Sequence, residues 1–285
     1  MTLVERGGFA AIRRVVGDRH ANRISYFYRD RIQPAIEATT YRLDGRGRRS
    51  RRRLEEMRDR YAGRRCFIIG NGPSLAKTDL SRLRDEYTFA LNRGYLLFDR
   101  IGAPTTFLVA VNRYVVEQFA ADILSAPSTT FLSWRSRHWA RDADDAVFVR
   151  RSRLFTFSSD VAGQGAWEGA TVTFAAMQLA YHLGFHQVML VGVDHSFSTT
   201  GPANKLVTAR DPDPNHFDPN YFGPGVKWQL PDLEVSEASY GLARRAFEEA
   251  GRDIADATIG GKLTVFRKVE FESLFTADAY GEPRG

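Results

Sequence analysis

The chain has 285 residues, 43% of them hydrophobic, and a formal net charge of +6. That is apolar material for one large or two modest domains, and it excludes a wholly disordered chain. Its single cysteine, Cys66, rules out an intramolecular disulfide and a multi-thiolate zinc site and, lying in an apolar run, reads as a small core residue. No run approaches the roughly 18 apolar residues of a membrane span, and the opening MTLVERGGFAAIRRVVGD lacks the apolar core and cleavage site of a secretory signal, so a cytoplasmic protein is expected.

Charge is uneven: residues 1–65 carry about +10 and the remainder about −4. The densest stretch is GRGRRSRRR, Gly45–Arg53. Its arginines, Arg46–Arg53, suit an anionic membrane surface, a polyanion or an acidic partner as well as they suit a solvated helix face. No RNP-like, zinc-finger or helix-turn-helix pattern accompanies them, which argues against specific nucleic-acid binding. Residues 1–62 read as a basic helical region appended to the rest. Ile24, Phe27, Tyr28, Ile32 and Ile36 are spaced for one face, Leu54, Met57 and Tyr61 for another, and Gly45 and Gly47 mark a break between helices.

Over residues 63–285 the texture changes to short β-rich runs: CFII at Cys66–Ile69, YTFAL at Tyr87–Leu91, TTFLVA at Thr105–Ala110, STTFLS at Ser128–Ser133 and QVMLVG at Gln187–Gly192. Helical stretches separate them, and the alternation predicts a Rossmann-like α/β domain with a mostly parallel sheet and flanking helices. A helix over Trp167–Leu183, stopped by Gly184, feeds the QVMLVG strand as a βαβ crossover. Residues 195–231, rich in Gly, Pro, Asn and Asp, exceed an idle connection and read as a lid. A helix over Glu234–Ala250 and a strand in DIADAT follow.

The first strand stops at GNGPSL, Gly70–Leu75. At the carboxyl edge of a parallel sheet, glycines let backbone approach a phosphate or sugar, and following N–H groups and Ser74 can donate to anionic oxygens. The pattern is neither GxxxxGK[ST] nor GxGxxG, so a P-loop kinase or standard dinucleotide enzyme is not indicated, and a tight structural turn is the plain alternative. Two more apolar runs end similarly: Leu91 before Asn92, and Val191 before Gly192, Asp194, His195 and Ser196. Asp194 would accept from a ribose hydroxyl or cap a turn. His195 would be a site residue at the acceptor or lid, or a structural histidine.

Together GRRCFIIGNGPSL, LNRGYLLFDRIGAPTTFLVAVN and LGFHQVMLVGVDHSF resemble the bacterial CMP-sialic-acid-dependent sialyltransferases and the related Maf-type flagellin glycosyltransferases and hydroxymethylpterin pyrophosphokinases. The resemblance implies that Asn71 and Asn92 hold a CMP donor, with Gly72 and Ser74 beside them as the donor-binding residues the strand end itself suggests. It also places Thr171, at the start of the long helix, and Gly192 and Asp194 at the nucleotide. GQG at Gly163–Gly165 is expected to open that helix, whose dipole favours an anion. It further implies a histidine on the lid that deprotonates the acceptor; His216 matches the first of two histidines in that stretch, and the second falls near Asn220. Tyr221, Lys227 and Trp228 would line an acceptor pocket or anchor the loop. The resembled enzymes support the leaving phosphate with two tyrosines after the G-[IV]-D turn, whereas here HSFSTTGPANK has none before Tyr221.

The expectation is therefore a glycosyltransferase moving a sugar, a sialic or nonulosonic-type acid from a CMP donor, onto a glycan or surface-polymer acceptor, without cofactor or metal, at the inner face of a membrane or free of it, a homo-oligomer being compatible. Two alternatives stand beside it. A diphosphokinase of the pterin type would need ATP and Mg²⁺ held by Asp194, Asp211 and Asp213. A non-catalytic nucleotide or polyanion binder would bind without turnover.

Overall fold

The computed structural model describes residues 33–141, 143–152, 154–199 and 201–276; the expected faces of Ile24, Phe27, Tyr28 and Ile32 lie outside them. In chain order the strands are β1 (Arg65–Ile69), β2 (Thr88–Leu91), β3 (Phe107–Ala110), β4 (Thr129–Ser133), β5 (Val147–Val149), β6 (Gln187–Val191), β7 (Leu206–Thr208), β8 (Lys227–Gln229), β9 (Asp253–Asp256) and β10 (Arg267–Lys268). The longer helices are α1 (Gln33–Leu43), α2 (Gly45–Met57), α3 (Arg113–Ser125), α4 (Val172–His182) and α5 (Leu233–Glu249). Among the described residues, eight strands form one parallel sheet in the order β10-β9-β6-β1-β2-β3-β4-β5. This is the Rossmann-like α/β fold the alternation predicts. Strands covered on both faces read as continuous apolar runs, and Arg65–Ile69 is buried throughout. Arg65, the polar exception, pairs with the buried Glu86. Burial pushes the Cys66 thiol well up, in keeping with an inert core residue.

The strand order places the ligand edge. From β1 the chain builds outward through β2, β3, β4 and β5, then returns through α4 to β6 on the other side of β1. The sheet's topological switch therefore lies between β1 and β6, where loops diverge at the carboxyl ends. Gly70 N–H donates to Val191 O at 2.7 Å and Gly72 N–H to Gly192 O at 2.9 Å, extending the β1–β6 pairing into the loops.

The helices at 33–57 are not an appendage by their packing. β5 is the sheet edge, and its Phe148 is capped by side chains: Tyr41 Oη donates to Phe148 O at 3.0 Å, and Phe148 N–H donates to Ser50 Oγ at 2.9 Å. Capping an edge this way hides backbone groups that would otherwise template aggregation. Leu54 and Met57 join the core with Cys66, Ile68 and Phe185. The helix break is at Asp44, which caps α2 by accepting from Arg46 N–H at 2.8 Å. Gly47 lies inside α2, where a Cβ would meet Tyr41 O at 2.0 Å, so close helix approach requires glycine. Part of the arginine cluster clips the β4–β5 connection, Arg49 to Asp144 at 3.0 Å and Arg53 to Asp145 O at 2.6 Å. Arg51 and Arg52 are exposed without a hydrogen-bond or ion-pair partner among the described residues.

Residues 195–231 are more built than a loose lid. β7 and β8 pair antiparallel within them. Tyr221, Phe222, Trp228 and Leu230 are buried against Ala90, Leu108 and Phe148 in one cluster. No helix among the described residues is long and apolar enough to cross a membrane.

Candidate active site

The β1 and β6 loops brace each other at the switch point. Ser74 Oγ donates to Asp194 Oδ2 at 2.6 Å and Ser74 N–H to Oδ1 at 3.1 Å. Asp194 is thus spent on the turn after Gly72, and its backbone O accepts from Lys262 N–H. Gly72 is glycine because a Cβ would stand 1.8 Å from Asp194 Oδ2. Gly192, at φ 70°, is pressed on Leu75, and Gly70 on the Gly192 carbonyl. These glycines pack two loops together rather than simply opening a cradle.

Beside this brace lies a cavity of about 220 Å³. It gathers Asn71, Gly72, Asn92, Thr171, Gly192, Asp194, His195, His216 and Trp228; Ser74, Tyr221 and Lys227 are not on its wall. Two amides there are incompletely used. Asn71 donates Nδ2–H to Leu91 O at 3.2 Å, and its Oδ1 is buried without a partner. Asn92, in the left-handed region at φ 53°, likewise has a buried, unpartnered Oδ1. An unpaired buried polar atom costs about 1–3 kcal/mol, a debt a donating ligand would relieve.

α4 begins later than its sequence pattern. Gly169 and Ala170 both have positive φ, 56° and 60°, so the helix cannot run through them. Thr171 caps it, its Oγ1 accepting from Thr173 N–H at 3.3 Å and lying 3.3 Å from Tyr240 Oη. The first turn, with its positive dipole end, faces the cavity. GQG does not open this helix: Gly163 lies inside a short helical turn at Val161–Gln164, and Gly165, which ends that turn, leads to Ala166, which bridges Arg151.

The covering segment supplies His216. Its Nδ1 is 2.6 Å from Asp213 Oδ2, and its ring stacks on Tyr221 at 4.2 Å with Phe222 edge-on at 4.9 Å. The Asp213 carboxylate, almost fully buried, sets the tautomer: Nδ1–H donates to it, leaving Nε2 free to accept a proton. Burial pushes the Tyr221 phenol up, so it stays neutral and accepts from Arg93 N–H at 3.3 Å. Arg93 also reaches the carbonyls of Asn220 and Tyr221 and lies over Phe119 at 3.9 Å. Phe217 N–H donates to Asn71 O at 2.9 Å, and Gln118 bonds Lys227 on both backbone groups. The segment is therefore anchored over the cavity at three points. In the sequence Asp213 reads only as a metal ligand of the diphosphokinase alternative; its spacing of three residues from His216 is the signal for a pair. Arg93, Asn112, Asn215 and Tyr240 carried no signal of their own.

Asp194, Asp211 and Asp213 are not gathered: the first holds Ser74, the third holds His216, and among the described residues no three His, Cys, Asp or Glu side chains are grouped to hold a metal. The arrangement can instead receive a neutral or anionic ligand at the strand ends and remove a proton above it.

No family model matches the chain, and no curated protein does. Among solved structures it is similar to the sialyltransferase CstII from Campylobacter jejuni in complex with the substrate analogue cytidine-5′-monophosphate, with 14% identity over 73% of this chain and 85% of that one and a TM-score of 0.45. A likeness this distant says nothing of chemistry.

Proposed function

We propose that the protein is a glycosyltransferase that moves a sugar, a sialic or related nonulosonic acid carried by CMP, onto a hydroxyl of a glycan or surface-polymer acceptor. The observation that carries this reading is one cavity joining unpartnered amide oxygens at the strand ends to a carboxylate-held imidazole above them. Asn71 and Asn92 would turn their side-chain amides toward the cavity and accept from the cytosine amino group or ribose hydroxyls, donors that suit Oδ1 atoms with no partner in the protein. The leaving phosphate would lie toward the first turn of α4, where backbone N–H groups and the dipole favour negative charge. His216 Nε2 would take the acceptor proton, with Asp213 holding the ring as it becomes charged. No metal enters this scheme. Arg51 and Arg52 would meet anionic headgroups if the acceptor lies at a membrane.

The test is donor consumption. With a CMP-activated nonulosonic acid and a glycan acceptor in EDTA, CMP release should accompany product. His216→Ala should lower turnover by roughly 10²–10⁴-fold with donor affinity little changed. Binding of CMP with no release under any acceptor would leave the protein a nucleotide binder.

A further inference from the structure

Two histidines, not one, line the cavity, and each is tied by one ring nitrogen to a carboxylate. His195 Nε2 lies 3.0 Å from Glu237 Oε1 on α5. The His195 side chain is 8% exposed while Glu237 is 52% exposed, so the pair runs from the cavity to the solvent rim. Its other nitrogen, Nδ1, has no hydrogen-bond partner among the described residues. The backbone is held at φ 52°, a conformation that disfavours a side chain and that clusters at functional sites.

Position distinguishes the two rings. His216 comes from the covering segment. His195 follows Gly192–Asp194 at the end of β6, its ring 6.1 Å from Tyr240, whose hydroxyl meets Thr171 at the start of α4. His195 therefore shares the wall that favours an anion.

We propose that His195 is the acid of the transfer, its Nε2–H donated to Glu237 and its Nδ1–H to the leaving phosphate oxygen; this rests on the glycosyl-transfer reading above. The acceptor oxygen forms a bond to the anomeric carbon as the bond from that carbon to the phosphate oxygen breaks. The electron pair leaves with the phosphate, the acceptor proton passes to His216 Nε2, and the Nδ1 proton of His195 passes to the phosphate. Exchange with solvent returns both rings to their starting states.

The experiment uses azide, an anionic nucleophile that needs no base, with the CMP-activated donor. Azide should restore donor cleavage in His216→Gln. His195→Gln should stay roughly 10²–10³-fold down with azide or without, its affinity for CMP falling far less than its turnover. Glu237→Gln, a change at an exposed carboxylate, should lose at least about tenfold in turnover with CMP binding intact. Native turnover in either His195→Gln or Glu237→Gln overturns the assignment, as does rescue of His195→Gln by azide or a loss of CMP affinity matching its loss of turnover. A native protein that neither binds CMP nor consumes the donor removes the glycosyl-transfer reading instead.

Discussion

Gly72 has no space for even a methyl group, since a Cβ there would fall on the Asp194 carboxylate that holds Ser74. Gly72→Ala should push Asp194 off the turn and cost roughly 1–3 kcal/mol in denaturant unfolding; native stability would show that the two loops tolerate separation. Asn71→Ala should weaken CMP binding by roughly 1–3 kcal/mol by calorimetry if its amide meets the nucleotide, and unchanged affinity would remove it from the site. Asp213→Asn should reduce turnover at least about tenfold by disturbing the His216 tautomer, while a kinetically silent substitution would leave His216 without need of its partner. GNGPSL marked the carboxyl end of β1 from sequence because small and polar residues follow the apolar run there. What it could not reveal is that Ser74 and Asp194 satisfy each other across 120 residues. A pairing that distant is decided by strand order, which no local pattern contains.

At the scale of elements, α1 and α2 cap the β5 edge and bury Leu54 completely. Leu54→Ala should cost about 2–5 kcal/mol, the usual loss for a buried leucine, read from the unfolding midpoint. Deletion of residues 1–60 should expose the Phe148 edge and yield aggregated or unfolded protein; a soluble, cooperatively folded truncation would contradict this packing. The amphipathic spacing of Leu54 and Met57 was visible in the sequence, but a stripe shows that a face is buried, not what covers it. β5 escaped notice because three residues carry too little alternation to stand out. α3, capped by Asn112 Oδ1 accepting from Tyr114 N–H, also passed unread. α4 starts several residues later than the sequence pattern predicts, since Gly169 and Ala170 in an otherwise helical run give no warning of positive φ.

For the whole molecule, the strand order sets the site: β6 returns to the far side of β1, and the covering segment closes over the gap through Asn71, Arg93 and Gln118. The uneven charge belongs to the same frame, with Arg51 and Arg52 facing solvent on α2. If the proposed acceptor lies at a membrane, Arg51→Gln with Arg52→Gln should weaken association with anionic vesicles by about 1 kcal/mol per arginine while leaving CMP binding intact; no association of the native protein, or equal association of native and altered protein, would dismiss that surface.

On the proposed reading a nucleotide sits among the strand-end amides without a metal. That reading is tested most directly by thermal unfolding in EDTA with CMP, UDP, GDP and ATP in turn, for the native protein and for Asn71→Ala with Asn92→Ala, because a ligand bound only by the folded state raises the melting temperature by mass action. The expected result is a rise with CMP that exceeds those with the other nucleotides, persists without metal and disappears in the double variant. A rise seen only with ATP and Mg²⁺, or one of equal size for every nucleotide and both proteins, would contradict it.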